Sequence, residues 1–135
     1  MKTYDLLDLL SIVGPLDIYV EQEKRKMLGP YTTHKDFSNR QAVWYILGQV
    51  ANQARARAIG QQPAEWRQPP KAAIQQAVAF ARKTYDETLA KSGDILVDAV
   101  YADLALQVLL EVQHDTGIES VLDAAVALIP TWGAR

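Results

Sequence analysis

Apolar residues recur along this chain every three or four positions, the spacing that gathers them on one face of a helix. Leu6, Leu7, Leu10 and Val13 repeat in this way, with Asp5, Asp8 and Ser11 on the polar side, and Gly14-Pro15 closes the segment. Pro15 suits the first position of a second helix. Its stripe is Leu16, Tyr19, Val20, Glu23 and Met27, and Lys24, Arg25 and Lys26 fill the last turn before Gly29-Pro30, where cations favour the helix dipole. After a loop from Tyr31 to Phe37, Ser38-Asn39-Arg40-Gln41 reads as a capping box, with Phe37 and Ala42 as a weak staple. It opens a third helix over 39–59, ended by Gly60, with Val43, Ile46, Leu47, Val50, Ala51, Ala54 and Ala58 inward.

Positions 61–70 break the pattern with Pro63, Pro69, Pro70, three glutamines and Trp66. This segment is too short for an interdomain tether and predicts a wrapped connection, with room for one helical turn at 64–67. A fourth helix over 71–91 turns Ile74, Val78, Ala81, Tyr85 and Leu89 inward, with Gly93 as its cap. A fifth, over 95–114, is the most apolar segment, as expected of a helix surrounded by others. Thr116 to Glu119 forms a second capping box before a sixth helix over 118–129, stopped by Pro130. No alternating run of strand type survives. The pattern predicts an all-α fold: a single domain over 1–135, arranged as a bundle or orthogonal array of about six helices. Helix five (95–114) lies at its centre, and the connection 61–70 is internal to it.

With 135 residues, 49% of them hydrophobic, the chain can bury a core without covalent staples. It has no cysteine, which excludes disulfides, thiolate metal sites, iron–sulfur clusters and a cysteine nucleophile. Met1 to Gly14 lacks the pattern of a signal peptide, and no uncharged stretch is long enough to span a bilayer. The expectation is an intracellular, cytoplasmic protein with no membrane partner. No serine sits in a Gly-x-Ser-x-Gly turn, and the glycines are scattered singly, so neither a nucleophile elbow nor a phosphate loop is present and no cofactor is expected.

One spacing resembles metal chemistry. Glu111 and His114 have the Glu-x-x-His separation that puts two ligands on one helical face, and Asp103 shares their stripe with Gln107. Asp103 and His114 are about three turns apart, roughly 16 Å, so the three cannot reach one ion from a straight helix. They stand as weak metal candidates, with a metal-dependent hydrolase as the least supported function and a polar stripe as the structural reading. The pairs Asp5/Asp8 and Asp94/Asp98 read as helix ends, where the dipole favours acids.

The formal net charge of −2 conceals a division. Residues 1–33 carry four basic and five acidic side chains, 34–91 nine and four, and 92–135 one and seven. The middle holds Lys35, Arg40, Arg55, Arg57, Arg67, Lys71, Arg82, Lys83 and Lys91 among Trp44, Tyr45, Trp66 and Tyr85. That material suits nucleic-acid grooves and protein hot spots alike. Arg55 and Arg57 point about 160° apart on a helix, however, and the long proline-rich connection after the third helix does not fit a helix-turn-helix. Nucleic-acid binding through the basic 35–91 region is therefore the alternative. The structural reading is that the basic middle neutralises the acidic final third.

The strongest interaction candidate is the flank of the third helix, where Trp44, Gly48 and Arg55 fall within about 40° of one another and Tyr45 faces farther out. A glycine inside a helix costs about 1 kcal/mol relative to alanine. Gly48 therefore implies that something packs closely there: another helix of the chain, the loop carrying Trp66, or a partner. Trp132 either tucks back onto the bundle or offers a second exposed aromatic. The sequence leads to a small non-catalytic interaction module, a regulator, inhibitor or adaptor that binds another protein or itself. Its expected surface comprises Trp44, Tyr45, Arg55, Arg57, Trp66, Arg67, Arg82 and Lys83.

Overall fold

The computed structural model describes residues 4–27, 33–92, 97–114 and 117–133, the side chains of 34–36, 91–99 and 130–133 excepted. Five helices follow one another: α1 (Leu6–Met27), α2 (His34–Ala58), α3 (Lys71–Ser92), α4 (Val97–Gln113) and α5 (Gly117–Gly133), with no strand among the described residues. The all-α class expected from the periodicity holds. The count is five rather than six, because the first two expected helices are one.

Pro15 lies inside α1 instead of starting a new helix. A proline removes one helical hydrogen bond and crowds the residue before it, at a cost of about 3 kcal/mol. Two features offset this cost. Gly14 has no Cβ to crowd the proline ring. In addition, Leu9, Ile12, Val13, Leu16, Tyr19 and Val20 form one buried stripe running through the proline. Each such side chain contributes about 1.5–3 kcal/mol on burial, so an unbroken helix wins. Asp5 begins it, its carboxylate accepting from Leu7 N at 2.8 Å.

The capping box at Ser38 does not start α2. The helix opens one turn earlier, with Phe37 N donating to Thr33 O at 2.9 Å, and Ser38 and Gln41 are exposed on its surface. Phe37 is 40% exposed, so it forms no tight staple. The other end follows expectation: Gly60, at φ +72°, closes a Schellman turn through Gln61 N to Ala56 O and Gly60 N to Arg57 O. From there 61–70 crosses the bundle without a helical turn at 64–67. Gln53 Nε2 donates to Ala64 O, Gln68 Nε2 donates to Val112 O at 2.8 Å, and Pro69 is buried.

α5 runs through Pro130 to Gly133 rather than stopping before it. The proline removes only the bond to the Val126 carbonyl, near an end where bonding already lapses, while Ile118, Val121, Leu122 and Ala125 hold the helix in the core. Glu119 of the second expected capping box pairs with Arg57 and accepts from the Tyr4 hydroxyl, while Thr116 lies outside the described residues. The segments 28–32, 93–96 and 115–116, with Gly29-Pro30, Gly93, Asp94 and Thr116, lie outside the described residues, as do the side chains of His34, Lys35, Lys91, Asp98 and Trp132.

The core is continuous through all five helices, with Leu9, Leu16, Ile46, Leu47, Val50, Leu109, Val112 and Leu122 almost fully enclosed. α4 touches each of the other four helices, as its apolar sequence predicts, and α2 does the same. The backbones of α1 and α3 do not approach closely, although Thr84 of α3 stands beside Tyr19 of α1. α4 lies beneath the gap between them.

Candidate functional site

The outer face of α1 and α2 carries the candidate site. Two contacts stitch the helices along this edge: Arg55 of α2 pairs with Asp17 of α1, and Lys24 of α1 lies over the Trp44 ring, 4.5 Å from its centroid. Arg55 also donates to Asn52 Oδ1 at 2.7 Å. Trp44 is half-buried against the core, while Tyr45 is 63% exposed. A shallow depression of about 360 Å³ opens here, lined by Ser38, Gln41, Ala42, Trp44 and Tyr45.

Gly48 lies between these groups, and a Cβ built on it meets nothing within 4 Å. Neither a neighbouring helix nor the Trp66 loop fills that space. Elsewhere on its surface α1 exposes Leu6, Leu7, Leu10 and Ile18, which are 42–71% accessible. On a 100°-per-residue projection they share an arc of about 120° with Gly14 and with Asp17, the residue that holds Arg55. The sequence pattern had assigned Leu6, Leu7 and Leu10 to a core stripe. Continuous through Pro15, α1 is instead oriented by Leu9, Ile12, Val13 and Leu16, which turns those leucines outward.

The remaining predicted site residues are dispersed. Arg57 is 14% exposed and is held by Gln53 Oε1 at 2.6 Å and by the Glu119 carboxylate at the start of α5. Tyr4 joins this knot, its hydroxyl shared between Glu119 O at 3.0 Å and Oε2 at 2.9 Å. Partial burial, with the Glu119 and Asp123 carboxylates beside it, holds the Tyr4 hydroxyl above the ordinary tyrosine range. Trp66 packs on the core and donates to Gln68 Oε1 at 3.2 Å, so it serves the crossing segment. Arg67, on that segment, and Arg82 and Lys83, on α3, are exposed.

Three arginines of the basic middle form ion pairs between helices. Arg40 pairs with Glu23 and stacks on Phe80, 4.8 Å from the ring centroid. Of the three inter-helix ion pairs made by Arg40, Arg55 and Arg57, one reaches the acidic final third and two reach α1. Among the described residues no three His, Asp or Glu side chains are placed to share a metal ion, and His114 is exposed in the turn after α4.

The sequence pattern placed Glu23 on an apolar stripe without assigning it a role. The structure buries it to 1% exposure, and the signal available was an acid one turn after Tyr19 on an otherwise apolar face. Comparison with protein-family models, curated proteins and solved structures finds no match for this chain.

Proposed function

We propose that this chain is a small non-catalytic interaction module whose outer α1–α2 face receives a helix of a partner protein. The observation that carries the reading is the bare surface over Gly48. A mid-helix glycine is costly, nothing in the described fold packs on it, and Trp44 and Arg55 share its flank of α2. A glycine hole beside an aromatic and an arginine lets a partner's backbone approach closely while those larger side chains hold it. The Asp17–Arg55 and Lys24–Trp44 contacts pre-order these side chains, which lowers the entropy lost on docking. Arg57 instead ties α2 to α5 and Trp66 serves the crossing segment, while Arg67, Arg82 and Lys83 are exposed on other elements.

The test uses Gly48→Leu, which places a bulky side chain on the open surface, and the double variant Trp44→Ala plus Arg55→Glu. Proteins captured from native extract on the wild-type chain are purified and titrated against all three forms. The expected result is a partner bound at least tenfold more weakly by both variants. Equal affinity for all three forms refutes the assignment. A concentration-dependent dimer abolished by Gly48→Leu in light scattering replaces the partner helix with a second copy of this chain.

A further inference from the structure

We propose that the outer face of α3 binds double-stranded DNA. The helix lies in the major groove, with Arg67 and Lys71 on the phosphates of one rim and Arg82 and Lys83 on those of the other. This surface is separate from the α1–α2 face, so either assignment can fail without the other.

The structure sorts the cations of the basic middle into two groups. Arg40, Arg55 and Arg57 are paired with acids of other helices. Arg67, Lys71, Arg82 and Lys83 are exposed, and none of them takes part in an ion pair or a side-chain hydrogen bond. All four lie on α3 or on the short approach to it. Trp66 to Tyr85 contains no acid. Asp86 and Glu87 follow Arg82 and Lys83 at i,i+4 spacing, yet neither pair forms. The fold therefore leaves this group of charges without a counter-ion of its own, which is the complement of a polyanion.

Helix geometry sets the class of polyanion. Ile74, Ala77, Val78, Phe80 and Ala81 hold the inner face of α3 in the core. On the opposite side Ala72, Gln75, Gln76, Ala79, Arg82 and Lys83 are all exposed, and on a 100°-per-residue projection they share an arc of about 120°. Ala72 and Ala79 form the ridge of this arc, with Gln75 and Arg82 on one flank and Gln76 and Lys83 on the other. A ridge of alanines lets the helix approach base edges closely. A glutamine amide pairs bidentately with adenine there, and an alanine methyl meets the methyl of thymine. Lys71 and Arg82 stand roughly 17 Å apart along the helix axis. With their long side chains they span a major groove about 12 Å wide and reach the phosphates on both its rims. The major groove of an RNA duplex is too deep and narrow for side chains to read, so the same face selects DNA.

The experiment is fluorescence anisotropy of a labelled 20-base-pair DNA duplex titrated with the full chain, beside an RNA duplex and single-stranded DNA of the same length. The expected result is saturable binding to duplex DNA that weakens about a hundredfold between 50 and 200 mM salt, as four neutralised phosphates require. Arg82→Glu should weaken binding at least fivefold, whereas Arg25→Glu, the same charge change on α1, should alter it less than twofold. A sequence enriched from random duplexes should bind more tightly than unselected DNA, and Gln75→Ala plus Gln76→Ala should abolish that difference while keeping the salt dependence. All these side chains are exposed, so the variants fold as the wild type does, which circular dichroism checks. No binding to duplex DNA at 50 mM salt overturns the proposal, as does tighter binding to the RNA duplex or to the single strand. So does an equal loss with Arg25→Glu and Arg82→Glu, or a selection that enriches no sequence.

Discussion

Replacing Glu23 by leucine removes one half of an ion pair that the fold has taken out of water. The carboxylate is 1% exposed and its partner Arg40 is 19% exposed, with the guanidinium stacked over Phe80 and its Nε buried without a partner. Arg40 is a short way from solvent but cannot leave Phe80 without breaking the ring contact, so Glu23→Leu strands its charge. Deleting one member of a buried pair costs about 3–5 kcal/mol. A domain of 135 residues has a total stability of roughly 7–20 kcal/mol, so this single change consumes a large fraction of it. Arg40→Met should cost a similar amount by stranding Glu23, with Lys26 at 3.5 Å offsetting part of the loss. The double variant Glu23→Leu plus Arg40→Met should lie within about 1 kcal/mol of the wild type, because neither charge is then left unpaired. Equilibrium urea unfolding followed by circular dichroism measures all four forms, with an unchanged m value confirming a common unfolded state. The reasoning is refuted if Glu23→Leu costs less than about 1 kcal/mol, or if the double variant loses as much as the two single variants together.

Two glycines should respond in opposite directions. Gly48→Ala places a methyl group in open space within a helix and should raise stability by about 0.5–1 kcal/mol, whereas Gly60→Ala forces a side chain into the left-handed region and should cost about 1–2 kcal/mol; the same urea titrations read both. At alkaline pH the two tyrosines with raised pKa values govern stability. Tyr19 and Tyr4 stay protonated in the fold when the unfolded chain has begun to lose those protons, so their contribution is full below pH 10 and declines as pH rises beyond it. Tyr19→Phe should flatten that decline by up to about 1.4 kcal/mol per pH unit, and an unchanged slope refutes the assignment.

The three-to-four spacing was enough to place α3, α4 and the inner face of α2, because those helices bury nearly every apolar side chain of their stripes. α4 was recognisable as a largely buried helix from composition alone, since few of its positions are polar. The Schellman turn at Gly60 was equally local, a backbone shape that one residue type adopts without strain. The same local logic failed at Pro15 and Pro130. Whether a helix survives a proline depends on the burial available on both sides of it, and that quantity belongs to the packing.

The candidate site divides in the same way. Trp44, Gly48 and Arg55 share a flank by helix geometry, which the sequence determines. That the space over Gly48 is open, that Arg57 is tied to Glu119, and that Leu6, Leu7 and Leu10 turn outward follow only from how α1 and α5 dock on α2. The cavity beside Tyr19 and Glu23 was beyond reach for the same reason: its walls come from α1, α3 and α4. Sequence determined which residues share a face, since that is set by the fixed rotation per residue. Tertiary structure decided which faces meet another helix and which meet water, since that depends on the free energy of all five helices packing at once.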